Sequence, residues 1–511
     1  MNKLLLTLLI TTVIYSQHQI DIPWSSLANS PWPMVSRDPQ NTHRSFYSGP
    51  ESATIKWEID LPYGVLSGPV IGEDGTLYVG TDFYGDTTNY FYAINPDNGE
   101  IIWIFSTGNP NMNASGYLIN NEGTIFFGSQ SGWLYAIDSY GNLKWKYDTG
   151  DDILEGSGMN IDLQGNIYFT NSSGFLYSLS KSGSLNWKVI YGGGIFSVST
   201  TMIPSGDIIY VVAADRKLRA LNLNGIVQWS NCCIGIDRQP LTVDNSGNIY
   251  FLPGYDSYDL NALNCIDSSG NLRWSYLINN GNAGFTESSP TIDYNGNLYY
   301  TYIVDSANTW LCRVESVDYY GNYRWTYQFE QLGEEIFADL ICDKDGTIYC
   351  GSTYGYYYYA ISKEGKLLWK LPLNGNMVDN SGAIGSDGTL YIGMNGNPQK
   401  NLIAIRDTVT SVLGGETNTL DYNLNQNYPN PFNPSTTINF SLPQKQMVKL
   451  VIYDILGKEV KTLVNSEKDA GSYNVEWNGT NNNGLNVSTG IYIYRINAGS
   501  FIQEKKMILM K

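Results

Sequence analysis

Short apolar runs of four or five residues, each introduced by a polar turn, recur along most of the chain. DGTLYVG at 74–80 returns as NEGTIFFG at 121–128, KDGTIYCG at 344–351 and SDGTLYIG at 386–393. Runs this short, bounded by Asp-Gly or Asn-Gly, predict strands joined by tight hairpins, because those pairs supply the positive φ that the turn needs. Each such strand is followed by a second one closing on Gly-x-x-x-Trp, as in YAINPDNGEIIW (92–103), YAIDSYGNLKW (135–145) and YSLSKSGSLNW (177–187). Trp57, Trp103, Trp145, Trp187, Trp229, Trp274, Trp325 and Trp369 are thereby spaced by 46, 42, 42, 42, 45, 51 and 44 residues. A period of about 40–50 with several strands per unit predicts a β-propeller. The recurring Trp is read as a docking side chain, a large flat surface laid against the neighbouring blade. The eighth unit runs SDGTLYIG…NLIAIRD without a Trp strand, whereas KWEIDL around Trp57 is a Trp strand with no blade before it. The N-terminal strand is therefore expected to complete the last blade, giving an all-β, eight-bladed propeller over 51–410 with no open edge.

The beat then stops. Residues 411–423 are rich in Thr, Gly and Asn and read as a linker. In NYPNPFNPSTTINFSLP, Pro429, Pro431 and Pro434 exclude helix and central strand, so an extended lead is expected before the strands that follow. TTINFSL, MVKLVIYDILG, GSYNVEWNG and GIYIYRINAG alternate apolar and polar positions, which predicts a small Ig-like antiparallel β-sandwich over 424–511.

Composition strengthens this picture. Among 511 residues there are 40 Tyr, 13 Trp and 52 Gly and only 15% charged residues, which suits strands and turns better than long helices. The net charge of −18 argues against nucleic acid and anionic membrane surfaces as partners. MNKLLLTLLITTVIYSQ has the basic start, apolar middle and small end of a secretory signal, assigned to 1–16, with a lead-in segment at 17–50. No other run approaches 18 apolar residues, so no transmembrane segment is expected downstream. The first Cys is Cys232, which argues against a lipid anchor near the cut.

Two resemblances emerge from these residues. Ala93-x-Asn95…Gly99-x-x-x-Trp103 and Ala136-x-Asp138…Gly141-x-x-x-Trp145, preceded by PWPMVSRDPQNTHRS (31–45), resemble the tryptophan-docking repeat of pyrroloquinoline-quinone-type propellers. That family holds quinone-dependent dehydrogenases and also non-enzymatic propellers that bind or scaffold proteins. The tail resembles the C-terminal sorting domain of type IX secretion. The match rests on Asn427-Tyr428-Pro429-Asn430-Pro431-Phe432-Asn433-Pro434, YDILGKEV, STGIYIYRI and the basic terminus. This resemblance implies recognition by the type IX machinery in the periplasm and export to the cell surface or medium.

Candidate chemistry is sparse. Adjacent Cys232 and Cys233 are the candidate cofactor residues, since the resemblance implies a vicinal disulfide against pyrroloquinoline quinone. The pair follows the fourth full repeat, later than in the family dehydrogenases, which favours a structural disulfide or two buried thiols. Cys342 and Cys350 flank a hairpin turn and are expected to bond, as are Cys265 and Cys312 in neighbouring units. His18 and His43 are the two histidines, which excludes a Ser-His-Asp triad and a His-based zinc site within the propeller. Glu155, Asp237, Glu287, Glu335 and Asp379 precede the first strands of their blades and would gather at one channel mouth, as a calcium site or as a solvated acidic rim. The expectation is a cell-surface propeller that binds a protein or a glycan, with no cofactor. An extracellular enzyme, quinone-dependent or carboxylate-based, is the alternative.

Overall fold

The computed structural model describes residues 18–62, 64–65, 67–81, 90–108, 116–151, 153, 158–190, 200–203, 205–212, 215, 217–231, 241–252, 262–281, 288–305, 310–330, 334–336, 338–374, 377–378, 380–395, 400–408, 422–424, 427, 432, 434–469, 471–499 and 501–509. The regular structure among them is strand, apart from one short 3-10 turn at Ile278–Gly281. The chain divides into two compact units, one up to residue 408 and one from 409 on.

Among the described residues the first unit holds eight four-stranded antiparallel sheets. In chain order they span 70–106, 118–148, 160–190, 200–231, 242–277, 291–328 and 341–372, and the eighth combines 383–406 with the strand Thr54–Ile59. That strand pairs with Leu402–Arg406, so the two ends of the unit share one sheet. One rule shapes all eight. The residue directly opposite each Trp is small: Ala93 faces Trp103, Ser178 faces Trp187, Cys265 faces Trp274 and Ala404 faces Trp57. A small partner leaves the indole free to lean on the next sheet.

That is where each indole goes. Trp57 Nε1 donates to the Pro96 carbonyl at 2.9 Å, Trp103 to Ser139 at 2.9 Å, Trp145 to Lys181 at 3.1 Å and Trp187 to Leu223 at 2.8 Å. The series continues from Trp229 to Ser268, Trp274 to Tyr319 and Trp325 to Lys363, and Trp369 reaches the Pro50 carbonyl, just ahead of the first strand. The accepting turns need glycine on two counts. Gly183 has φ +85°, and a Cβ there would stand 2.6 Å from the Trp145 ring.

Within each sheet burial falls from first strand to fourth. The first strands are two or three fully buried residues, and those of the third and fourth, fourth and fifth, and sixth and seventh sheets touch one another. The fourth strands are partly exposed, as in the pattern of Ile101–Ser106. The first strands therefore converge on a common axis, and the Trp strands form the outer wall.

The segment before the first sheet occupies that axis. The Ile71 amide donates to the Trp32 carbonyl and the Ile119 amide to Pro33; Met202 donates to Pro39, Val243 to Gln40, Ile292 to Thr42 and Cys342 to His43. The Asn160 side chain supplies the third sheet's bond, to the Pro39 carbonyl at 2.9 Å. Residues 32–45 thus touch the first strands of seven sheets in turn. Arg37, Asn41 and His43 take φ values of +73°, +53° and +54°, a strain held in place by these bonds. Arg44, 1% exposed, donates to the carbonyls of Ile292, Asp293 and Ile20 and lies 4.4 Å from the Tyr294 ring centroid.

The cysteine pairings expected from sequence are corrected here. Cys265, Cys312, Cys342 and Cys350 are free and buried. Cys342 stands opposite Ile348, so Cys350 is its diagonal neighbour, and diagonal positions lie about 7–8 Å apart, beyond the reach of a disulfide. Cys265 and Cys312 lie in separate clusters of the core. Burial pushes both thiols up to about 12, which keeps them protonated and unreactive.

The second unit packs a three-stranded sheet (Asn423–Leu424, Thr436–Leu442, Gly471–Trp477) and a four-stranded one (Glu459–Lys468, Gln446–Asp454, Gly490–Ala498, Phe501–Leu509) around Ile438, Leu450, Trp477 and Tyr494. Phe432 bridges to Leu509 and lies 5.4 Å from the Trp477 ring. The Asn427 amide donates to Tyr494 Oη at 2.7 Å, and its side chain donates to Thr436 at 2.9 Å.

Candidate functional site

The sixth sheet departs from the rule of its neighbours. Its second and third strands, Leu298–Asp305 and Trp310–Val317, have eight residues each, against four and five in most other sheets. The added length accounts for the 51-residue interval between Trp274 and Trp325. It carries Tyr302 and Arg313 outward beside the last strand of the fifth sheet.

A second departure lies one residue before the position that faces the Trp. In the first, second, third and seventh sheets this slot holds Tyr92, Tyr135, Tyr177 and Tyr359; in the sixth it holds Glu315. Glu315 is 3% exposed. A carboxylate buried so deeply requires donors around it. Tyr300 Oη donates at 2.6 Å, Thr326 Oγ1 at 2.6 Å and Tyr302 Oη at 3.2 Å. Tyr276, from the fifth sheet, lines the same space; burial first and then the Glu315 charge push its phenol far above the ordinary range. Tyr300 is raised for the same two reasons.

Between the two sheets opens a cavity of about 370 Å³. Tyr276, Leu277 and Asn279 form the fifth-sheet wall; Tyr302, Arg313, Glu315, Thr326 and Gln328 form the other. Its size falls within the range of small-molecule sites, roughly 300–1,000 Å³. Arg313 donates from Nε at 3.2 Å and Nη2 at 3.1 Å to Gln328 Oε1 and lies 5.9 Å from the Tyr302 ring centroid. The guanidinium is thereby fixed in orientation, and the Gln328 amide nitrogen is turned away as a donor.

Cys232, Cys233, Glu155, Asp237, Glu287 and Asp379 lie outside the described residues. So do the signal 1–16, most of the linker, and Tyr428, Pro429, Asn430, Pro431 and Asn433 of the sorting motif. Glu335 is half-buried, and its carbonyl accepts from the Thr353 amide at 2.8 Å. Among the described residues no three His, Cys, Asp or Glu side chains gather as a metal site. His43 lies in the axial segment with Nε2 3.3 Å from Asp339. Sequence reasoning missed Tyr276, Tyr302, Arg313 and Glu315, although the 51-residue interval marked the sheet of the last three.

Four-stranded sheets docked by Trp around a shared axis define a propeller of pyrroloquinoline-quinone-like repeats. The family model described as outer membrane protein assembly factor BamB matches residues 48–192 and 154–313, together just over half of the chain, and the chain belongs to that family. The model described as FlgD Ig-like domain matches residues 426–500. Among solved structures, BamB from Moraxella catarrhalis is similar with a TM-score of 0.53 and 14% identity, over 69% of this chain and 99% of that one. The hydrazine synthase of Kuenenia stuttgartiensis has a TM-score of 0.44 at 12% identity, over 57% of this chain and 93% of that one. No curated protein matches the chain.

Proposed function

We propose that this chain is a binding propeller of the cell exterior, whose eight sheets close as an eight-bladed ring and whose residues 424–511 direct its export by type IX secretion. The observation that supports the binding role is the cavity between the fifth and sixth sheets, lined by polar side chains fixed by their neighbours, in a family named for an assembly factor. Ring closure is supported by the shared eighth sheet and by the indole bonds that return from Trp369 to Pro50. The export role rests on the motif Asn427–Pro434 and the basic terminus. Deleting 424–511 and fractionating cells tests it: retention of the truncated chain in the periplasm is expected, and unchanged surface or medium localisation would overturn the sorting role.

The binding reading assigns no catalytic part to calcium or pyrroloquinoline quinone. In a thermal unfolding scan of the whole chain, adding both is expected to leave the midpoint in place. A rise that requires both would favour the enzyme and return Cys232 and Cys233 to the site, since ligand at a hundred times its Kd adds about 2.7 kcal/mol.

A further inference from the structure

Resting on that binding role, we propose that the cavity between the fifth and sixth sheets takes a neutral, hydroxyl-rich ligand, a short saccharide. Three observations carry the inference. The first is the slot itself. Where four sheets place a tyrosine, the sixth places a carboxylate at 3% exposure and surrounds it with hydroxyls of its own sheet, with the Tyr276 phenol of the fifth sheet on the facing wall. Glu315 fixes the direction of those protons: with Tyr302 donating inward, its oxygen faces the cavity as an acceptor, beside the Tyr276 hydroxyl of the facing wall. The second is the opposite polarity on the same wall. Arg313, oriented by Gln328, and the Gln328 amide present donors. A surface that offers fixed acceptors beside fixed donors matches a ligand whose every group both donates and accepts, and hydroxyls do so.

The third observation is charge. The lining holds one guanidinium and one buried carboxylate, so it carries no net charge to select an anion or a cation. The Arg313 guanidinium also lies over the Tyr302 ring, where a cationic ligand would otherwise sit. The Tyr276 ring and Leu277 add apolar surface for the C–H face of a pyranose.

The test is isothermal titration of the full chain with four neutral tetrasaccharides (cellotetraose, maltotetraose, laminaritetraose, xylotetraose) and with sialyllactose. Arg313→Ala, Tyr276→Ala and, as a control at the same slot of the fourth sheet, Arg219→Ala are titrated alongside. Binding of at least one neutral sugar, weakened tenfold or more by Arg313→Ala and by Tyr276→Ala but not by Arg219→Ala, is the expected result. Unfolding midpoints of the variants separate a lost contact from a lost fold, and a variant whose midpoint collapses is replaced by Gln328→Ala. Binding of sialyllactose alone, no binding at all, or neutral-sugar binding that ignores these substitutions would overturn the proposal. Reducing-end analysis of the titrated sugar distinguishes the two readings: cleaved sugar would overturn the binding role itself, whereas an absent sugar signal with surface localisation intact would remove only the ligand class.

Discussion

The third and sixth sheets of the propeller are built to one plan and serve different ends. In the third, Tyr177 fills the slot beside the Trp-facing Ser178, and its ring stacks on Phe169 at 5.1 Å. In the sixth, Glu315 fills that slot and its oxygens collect three hydroxyl donors from their own sheet. Both sheets dock through an indole to the next, Trp187 to Leu223 and Trp325 to Lys363. The comparison separates the parts of a repeat that hold the ring together from the part that can be given over to a ligand. A Trp faced by a small residue recurs in each of these sheets, while the slot next to it changes from Tyr to Glu.

Four measurements would break or sharpen that comparison. Trp187→Ala should have the largest effect, since it removes a docking ring and leaves the Leu223 carbonyl without its donor. A loss of about 3–5 kcal/mol is expected in denaturant unfolding, and a loss under about 1 kcal/mol would refute docking as a principal source of stability. Glu315→Leu should follow, at about 1–3 kcal/mol, because it strands buried hydroxyls, whereas Tyr177→Phe at the corresponding slot should cost about 1 kcal/mol or less. Equal costs at the two slots would erase the distinction between the sheets.

The third measurement concerns the sixth sheet's inner end, where Ser289 donates to Asp339 Oδ1 from its amide at 2.6 Å and its hydroxyl at 2.7 Å. Burial alone would push the Asp339 carboxyl up, but the His43 imidazole and the Ser289 donors together hold it below the usual range. A carboxyl lowered in the fold contributes stability above its unfolded value, about 3.9, and loses it as pH falls through the folded value. The gap in unfolding midpoint between the native chain and Asp339→Asn should therefore be widest near neutrality and narrow below about pH 4. A gap independent of pH would show that the carboxylate charge is not what Ser289 and His43 stabilise. Arg313→Ala is expected to be smallest in stability, within about 0.5 kcal/mol, because its side chain is half-buried and bonded to an exposed Gln328. Its effect belongs to the ligand, and a large stability loss would class it with the framework.

Much of this architecture is legible in the residues because the repeat is written in side chains. Asp-Gly turns, Trp and the small residue opposite it recur with the structure's own period. The cavity is not legible in that way: Glu315 is one of 48 acids, and its donors come from residues 300, 302 and 326, brought together only by register. The expected bond between Cys342 and Cys350 failed for a related reason, since flanking a turn does not make two residues directly opposed. The path of residues 32–45 is hidden more deeply, because main-chain carbonyls make most of its bonds and these have no signature in sequence.

That path sets an order of events. Residues 32–45 bind amides as far along the chain as Cys342, and Thr54–Ile59 waits for Leu402–Arg406 before it has a neighbour on that side. Such long separations make for slow, late consolidation. A chain cut short anywhere before the eighth sheet is left with an unpaired edge and a loose leading segment, both recognisable as unfinished. A structure whose last sheet needs both ends of the unit completes itself only when its final strand arrives, so closure reports that the whole propeller has been made.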